Sequence, residues 1–452
     1  MRGHLLWCTY FMYKILERAV CSQLAEYLDS NNLMQPNQSA YRRSHSTETT
    51  LTAVFSDNIS ELDRGNLVLL SMLDRSAAFD CVDHDILLNR LDTSYGIRST
   101  SRQWLTSYLS LGLRASDTTA LFTCWNNAFR RAAGLCAQTS VIPPLHCRLR
   151  SNRHQTRFPV ALLCGRLAAL HLVQSWWGSA IQDALLTIKC IADIKAFMRS
   201  NRLRLNPTKT EFSWCTTARR RHQVKVEPIH IDDVDIAPSA DVRNLGVLID
   251  GDFSMTTHVK KQVRSCFHSL CQIRVIRRSL TKEAAKMLVC SFICSRIDYC
   301  NAVFAGLPRY TTNHLDSVLH AATRMISSRS KYDHLTSVLR DEQHWLPVQQ
   351  HMIYKLCLIT YKAINGTASS YIAAMCVPSS TNHASLRLRS FDSRHLLLPR
   401  PKTELEKRAF AYAEPRAWND LPIALRTSTT LTGFKSALKT HLFHCCYPTC
   451  WT

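Results

Sequence analysis

Residues 67–91, LVLLSMLDRSAAFDCVDHDILLNRL, decide how this chain is read. Leu67, Val68, Leu69 and Leu70 form a short apolar run bounded by Gly65 and Asn66, the pattern of a strand buried on both faces. Asp74 falls at the carboxyl end of that strand, where α/β sheets present ligands. Asp80, Asp83 and Asp85 follow before the helical ILLNRL. A carboxylate delivered on a rigid strand suits a divalent cation held by oxygen ligands. The alternative is that these aspartates only cap the following helix.

Upstream, residues 13–29 (YKILERAVCSQLAEYLD) space Ile15, Leu16, Val20, Leu24 and Leu28 by three and four, which predicts an amphipathic helix. Residues 37–65 predict an arginine-bearing polar loop and a second helix, with Ser46 or Thr47 as N-cap and Gly65 closing it. Downstream, the composition changes. From Thr118 to Gln182 there is no Asp, Glu or Lys, but there are seven arginines, and neither helical nor strand periodicity survives.

Order returns with the stripe Leu185, Ile188, Ile191, Ile194 and Phe197. After it, Asn206-Pro207 predicts a turn before an apolar strand. Between Thr257 and Arg278, Val259, Val263, Phe267, Leu270 and Ile273 make an apolar stripe, while Lys260, Lys261, Arg264, Arg274, Arg277 and Arg278 occupy other faces. Such a basic amphipathic helix suits a phosphate backbone, or is simply well solvated. A membrane-surface role is disfavoured, because the helix lacks Trp and carries many polar residues. Residues 280–365 predict a packed helical domain, and the chain ends in the helical FKSALKTHLF.

Over 452 residues, Lys+Arg 56 against Asp+Glu 34 gives a formal net charge of +22, which favours a polyanionic partner. A 46% hydrophobic content excludes wholesale disorder. The first apolar stretch, Leu5 to Tyr13, falls well short of the roughly 20 residues that cross a bilayer, and no signal-peptide cleavage site follows it. The 19 cysteines are scattered, odd in number and free of any C-x-x-C, so reduced thiols in an intracellular protein are expected rather than a disulfide framework or a zinc site.

The block LLSMLDRSAAFDCVDHDIL resembles motif A of the reverse transcriptases of non-LTR (LINE-like) retrotransposons, in which an apolar strand ends in Asp and continues S-x-AFD-x-VDH. KILERAVCSQLAEYL and QSAYRRSHSTET resemble the family's finger segments, RLRLNPTKTE is similar to its motif D, and NLGVLIDGDFSMTTHV is similar to the opening of its thumb. SRIDYCNAVFAGLP, HWLPV and FKSALKTHLF resemble the region beyond the polymerase. Everything except about residues 118–182 matches in order.

The resemblance implies an α/β right-hand polymerase (fingers, palm and thumb) followed by an α-rich C-terminal region. It divides the chain into 1–66 as a fingers remnant, 67–117 as palm with motif A, 118–182 as a degenerate segment replacing motifs B and C, 183–252 as a palm remnant with motif D, 253–345 as a helical thumb, and 346–452 as the C-terminal region. The implied activity is RNA-directed DNA synthesis, with RNA template, DNA primer, deoxynucleoside triphosphates and Mg²⁺ as partners, in the nucleus or cytoplasm and without a membrane.

By position Asp74 matches the motif A metal ligand and Phe79 the aromatic beneath the nucleotide sugar. Arg42 matches a finger arginine near template or nucleotide phosphate. Lys209 matches the motif D lysine that protonates the leaving pyrophosphate. Arg75 departs from the apolar residue usual beside the motif A aspartate and competes electrostatically with a metal. In AQTSVIPPL, Gln138, Ser140, Val141 and Pro144 survive from motif B. Thr139 and Pro143 replace glycines that let the backbone approach substrate.

Motif C, the adjacent Asp pair that completes a two-metal site, is absent from the translated chain. IADI, Ile191–Ile194, is only an imitation, since Asp193 sits on the polar side of a helical stripe. Reverse-translated and read one base later, Leu162 to Leu172 permits Cys-Tyr-Ala-Asp-Asp-Ser-Gln-Leu-Tyr-Thr, which restores the motif. A shifted frame spanning roughly Leu145 to Ser179 is therefore the hypothesis for the acid-free segment. Sequencing the genomic DNA and transcript tests it: codons that read Tyr-Ala-Asp-Asp in the shifted frame are expected, and codons unable to encode it in any frame would refute the hypothesis.

Overall fold

A computed structural model describes residues 2–34, 38–40, 42–75, 83–112, 160–163, 166–173, 191–192, 194–196, 198–200, 202, 205–224, 228–231, 234–381 and 394–447. The fold is mixed α/β and mostly helical, with few and small sheets. The chain forms two compact units. One comprises Met1–His45, Leu69–Phe212 and Lys225–Pro238, the other Ser46–Val68, Ser213–Val224 and Ser239–Thr452.

A four-stranded sheet is ordered β2-β3-β1-β4, with β1 Leu67–Arg75 an inner strand, β2 Val160–Leu163, β3 Arg166–Val173 and β4 Leu205–Cys215; the first unit holds all of it except Leu67 and Val68 of β1 and Ser213–Cys215 of β4. Every residue from Leu67 to Leu73 is buried, the polar Ser71 included, as expected of a strand covered on both faces that opens with an apolar run. β2 and β3 pair antiparallel, with Leu163 opposite Arg166, inside the stretch where no strand periodicity was legible.

Asn206-Pro207, expected to form a turn, instead lies inside β4. β4 is an edge strand, where a residue without an N–H is tolerated, and the Asn206 Oδ1 accepts from the Thr208 backbone N–H at 3.1 Å.

Helix α1 (Arg2–Ser30) bears out the predicted stripe only in part. Leu28 is buried among Leu87, Leu88 and Leu91 of α3 (His84–Thr93) and Leu109 of α4 (Ser99–Gly112), whereas Ile15 and Leu16 are exposed. Ile191 and Ile194 are buried in a helical stretch; Leu185, Ile188, Asp193 and Phe197 lie outside the described residues.

The second unit begins with α2 (Thr47–Asp63). Ser46 is its N-cap in a reciprocal capping box with Thr49, and Gly65 follows at φ +86°. The antiparallel pair β7 (Asp241–Asn244) and β8 (Val247–Asp250) turns at Leu245 and Gly246, both at positive φ; a further antiparallel pair, β5 (Ile229–Ile231) and β6 (Val234–Ile236), belongs to the first unit.

Helix α5 (Thr256–Ile276) follows β8, then α6 (Lys282–Val289), α7 (Arg309–Ser327) and α8 (Val348–Ile364). Residues 280–365 are mainly helical, as expected, and form part of the second unit. α8 anchors a core shared with α9 (Ser370–Met375), α10 (Phe410–Asn419), α11 (Ile423–Arg426) and α12 (Leu431–Cys446). Within it, Tyr361 stacks on Phe434 at 4.4 Å and Trp418 is fully buried. Cys215, Cys266, Cys300, Cys357 and Cys376 are buried, unbridged thiols; burial pushes that of Cys300 up to about 12. No described helix is long and apolar enough to cross a membrane.

Glu414 lies in α10 at 0% exposure, and burial pushes its carboxyl up to about 8, against the opposing pull of Thr360 and Cys376. The folded state therefore holds a proton that the unfolded chain releases near 4.5, so stability falls as pH rises from about 4.5 through about 8. Glu414→Gln is expected to flatten that dependence when denaturant unfolding is compared at the two ends of the window. An unchanged slope would contradict this assignment.

Candidate nucleic-acid interface

β1 carries Asp74 to the carboxyl end of an inner strand, with Arg75 as the strand's last residue. Lys209 lies on the neighbouring edge strand β4 and is exposed, while Thr210 and Phe212 beyond it are buried. Arg42 is half-buried in the loop before α2, its Nε 3.6 Å from the Asp29 carboxylate at the end of α1. That contact makes Arg42 a tie between loop and helix. Phe79 and Gln138 lie outside the described residues.

Of the aspartates after β1, Asp83 does what the capping alternative foresaw. Its Oδ1 accepts from the Ile86 backbone N–H at 3.0 Å at the start of α3, and it is ion-paired with Arg202. The Ile86 N–H, helped by Arg202, holds its carboxyl below the usual carboxylate range. A pair of Mg²⁺ ions needs several convergent carboxylates. Here one lies at the strand end and Asp83 is committed elsewhere. Among the described residues no group of three His, Cys, Asp or Glu side chains is arranged to hold a metal. The Asp74 side chain and Asp80 lie outside the described residues.

The second unit carries the basic helix. Asp250, the last residue of β8, sets its start: its carboxylate accepts from Met255 N at 2.9 Å, Thr256 N at 3.1 Å and the Ser254 hydroxyl at 2.6 Å. A carboxylate there also complements the positive end of the helix dipole. The buried face of α5 is His258, Val259, Gln262, Cys266, Ser269, Leu270 and Ile273, which corrects the predicted stripe, since Phe267 is 39% exposed and Val263 half-buried.

The polar residues buried here are partnered in part, with His258 Nε2 and Gln262 Oε1 left without a hydrogen bond. His258, pushed down to about 4 by burial, is neutral and accepts from the Leu248 N–H at 3.2 Å. Gln262 donates to the Arg296 carbonyl, and the Arg296 guanidinium reaches the Ser269 hydroxyl at 2.8 Å.

Lys260, Lys261, Arg264, Arg274 and Arg278 are exposed and have no ion-pair partner among the described residues. Arg277 differs from them. It is half-buried and donates to the carbonyls of Met325 at 3.0 Å, Ile326 at 2.8 Å and Leu280 at 2.9 Å, which ties the end of α5 to the end of α7. Arg220, in the short basic run after β4, likewise donates to the Gly65 carbonyl.

One concavity was not anticipated from sequence, a cavity of about 320 Å³ lined by residues of the 298–301 turn, the 344–346 turn, α8 and α12. Only His351 and Lys355, one helical turn apart on α8, hinted at it.

No family model matches the chain, and no curated protein matches it. Among solved structures the chain is similar to telomerase from Candida albicans in complex with a TWJ fragment of telomeric RNA, at 12% identity and a TM-score of 0.26. That match covers 75% of this chain and 54% of the other, so the chain spans about half the length of the structure it matches. At that TM-score the overlap carries no functional assignment.

Arg277 and Arg274 are separable by stability. Arg277→Ala strands three carbonyls and is expected to cost about 1–3 kcal/mol, while Arg274→Ala is expected to stay within about 0.5 kcal/mol, both read from urea midpoints. Equal effects would contradict the assignment of Arg277 as a clamp.

Proposed function

We propose that this chain is the RNA-directed DNA polymerase (reverse transcriptase) domain of a non-LTR, LINE-like retrotransposon, impaired or inactive as translated. The observation that carries this reading is β1 itself: a largely apolar strand, buried on both faces, that carries Asp74 as its next-to-last residue, after which the chain continues in the motif A sequence. The order of the remaining motifs supports it. The division into fingers, palm, thumb and C-terminal region, with palm residues Asp74, Phe79, Gln138 and Lys209 around the nucleotide, belongs to the same proposal. The partners are an RNA template, a DNA primer and deoxynucleoside triphosphates, with Mg²⁺ as the family's cofactor.

Catalysis in this chemistry needs two ions to activate the primer hydroxyl and to stabilise charge on the transferred phosphate. One motif A carboxylate beside Arg75, with no motif C pair, leaves little means of assembling that site. A second reading, a non-catalytic nucleic-acid-binding remnant, is favoured by the exposed cations of α5, which suit a phosphate backbone without any metal.

Primer extension on an RNA template, with Asp74→Ala as control, tests the proposal. The expected result is little or no synthesis, equal in both proteins. Robust synthesis that depends on Asp74 would overturn the inactivity.

A further inference from the structure

Thr256 to Thr281 contains no Asp or Glu, and the outer face of α5 has a regular order along it. Lys260, Arg264, Phe267, Cys271 and Arg274 follow one another at steps of four, three, four and three, the spacing that keeps side chains on one line of a helix. All five are exposed, and Arg278 follows four residues on, in the turn after the helix. From Lys260 to Arg274 the line is about 21 Å long, at ~1.5 Å of rise per residue. Its cations have no ion-pair partner among the described residues, which leaves them available to a polyanion.

Phe267 is the informative residue. Its ring is 39% exposed near the middle of the line, between Arg264 and Arg274, and Val275, four residues after Cys271, is 83% exposed. Contact with phosphate alone has no use for apolar side chains in water, so their place among the cations says what else the partner presents.

The order along the line separates three kinds of partner. A helix that lies in a membrane surface keeps apolar side chains on one face and cations on another. Here both alternate on one line, and neither can enter an acyl layer without the other. A duplex offers phosphates to the cations but keeps its bases stacked inside, which leaves Phe267 facing nothing it can stack on. An unpaired strand offers both, a charged backbone and the flat faces of its bases.

We propose that this line of α5 binds single-stranded nucleic acid in preference to duplex, with phosphates on Lys260, Arg264 and Arg274 and a base stacked on Phe267. The proposal rests on the nucleic-acid reading of α5 above and adds to it the kind of strand. RNA and single-stranded DNA share this chemistry.

Fluorescence anisotropy of the full chain tests it, with a labelled single strand of about ten nucleotides, as RNA and as DNA, and with the blunt duplex of the same sequence. Sedimentation with vesicles of phosphatidylserine and phosphatidylcholine is a further arm. The single strand is expected to bind more tightly than the duplex at equal salt. Phe267→Leu, which keeps apolar bulk and loses the flat ring, is expected to weaken single-strand binding by about five- to tenfold and duplex binding by less than about twofold. Phe267→Tyr, which keeps the ring, is expected to bind as the unaltered chain does, and Arg274→Ala to weaken strand and duplex together. Equal affinity for RNA and DNA strands assigns recognition indifferent to the sugar, and a preference for RNA assigns a 2′-hydroxyl contact; both support the site. A preference for duplex, or an effect of Phe267→Leu that is absent or equal on strand and duplex, overturns the proposal while the nucleic-acid reading of α5 stands. If neither strand nor duplex binds, that reading falls as well, and vesicle binding would then assign the face to a membrane.

Discussion

The four-stranded sheet depends on one constraint, the burial of β1 from both faces. Seven consecutive residues, Leu67 to Leu73, are removed from water, so the strand needs hydrogen-bonded neighbours on both edges and cover above and below. An isolated charge inside such a strand would carry a heavy desolvation cost. The first charged positions the strand tolerates are therefore at its carboxyl end, Asp74 and Arg75. The burial of the strand and the placement of its candidate functional carboxylate have the same origin.

The second unit shows how a helix keeps one face free for another purpose. Asp250 fixes where α5 begins and Arg277 fixes where it ends, both through hydrogen bonds to backbone groups. Between them, the buried face is secured by apolar residues and by polar residues with assigned partners, His258 with Leu248 and Gln262 with Arg296. The cations at Lys260, Lys261, Arg264 and Arg274 are left to solvent, where they raise the local potential for a polyanion. Arg277 carries the same charge and serves packing instead.

Local signals were legible and distant ones were not. The start of α2 at Ser46 and its close at Gly65 could be read because capping is settled within four residues. The inner position of β1 could be read because a run without polar interruption admits little else. The predicted stripe of α1 holds from Leu24 to Leu28, which pack with Leu87, Leu88 and Leu109, and fails at Ile15 and Leu16, which are exposed. The face of α5 differs from the expected one at Phe267, because the partners of His258 and Gln262, Leu248 and Arg296, are set by the tertiary fold and not by helical spacing. Arg277 could not be told from Arg274, since its acceptors at Met325 and Ile326 lie far along the chain. The pairing of β2 with β3 was hidden by a composition that had lost its period. Among the site residues, Asp83 was legible as a cap, while the cavity around Asn301 and Trp345 is assembled from segments widely separated in sequence.

The proposed reading has the exposed cations of α5 hold nucleic acid in the absence of polymerase chemistry. Equilibrium binding of an RNA–DNA primer-template hybrid to the full chain, followed across salt concentration, tests it most directly. The account predicts tight binding at low salt, with the logarithm of affinity falling linearly against the logarithm of salt and a slope that shrinks by about one for each α5 cation removed. Binding that is absent at low salt, or whose slope is unchanged by removing Lys260, Lys261, Arg264 or Arg274, would contradict it.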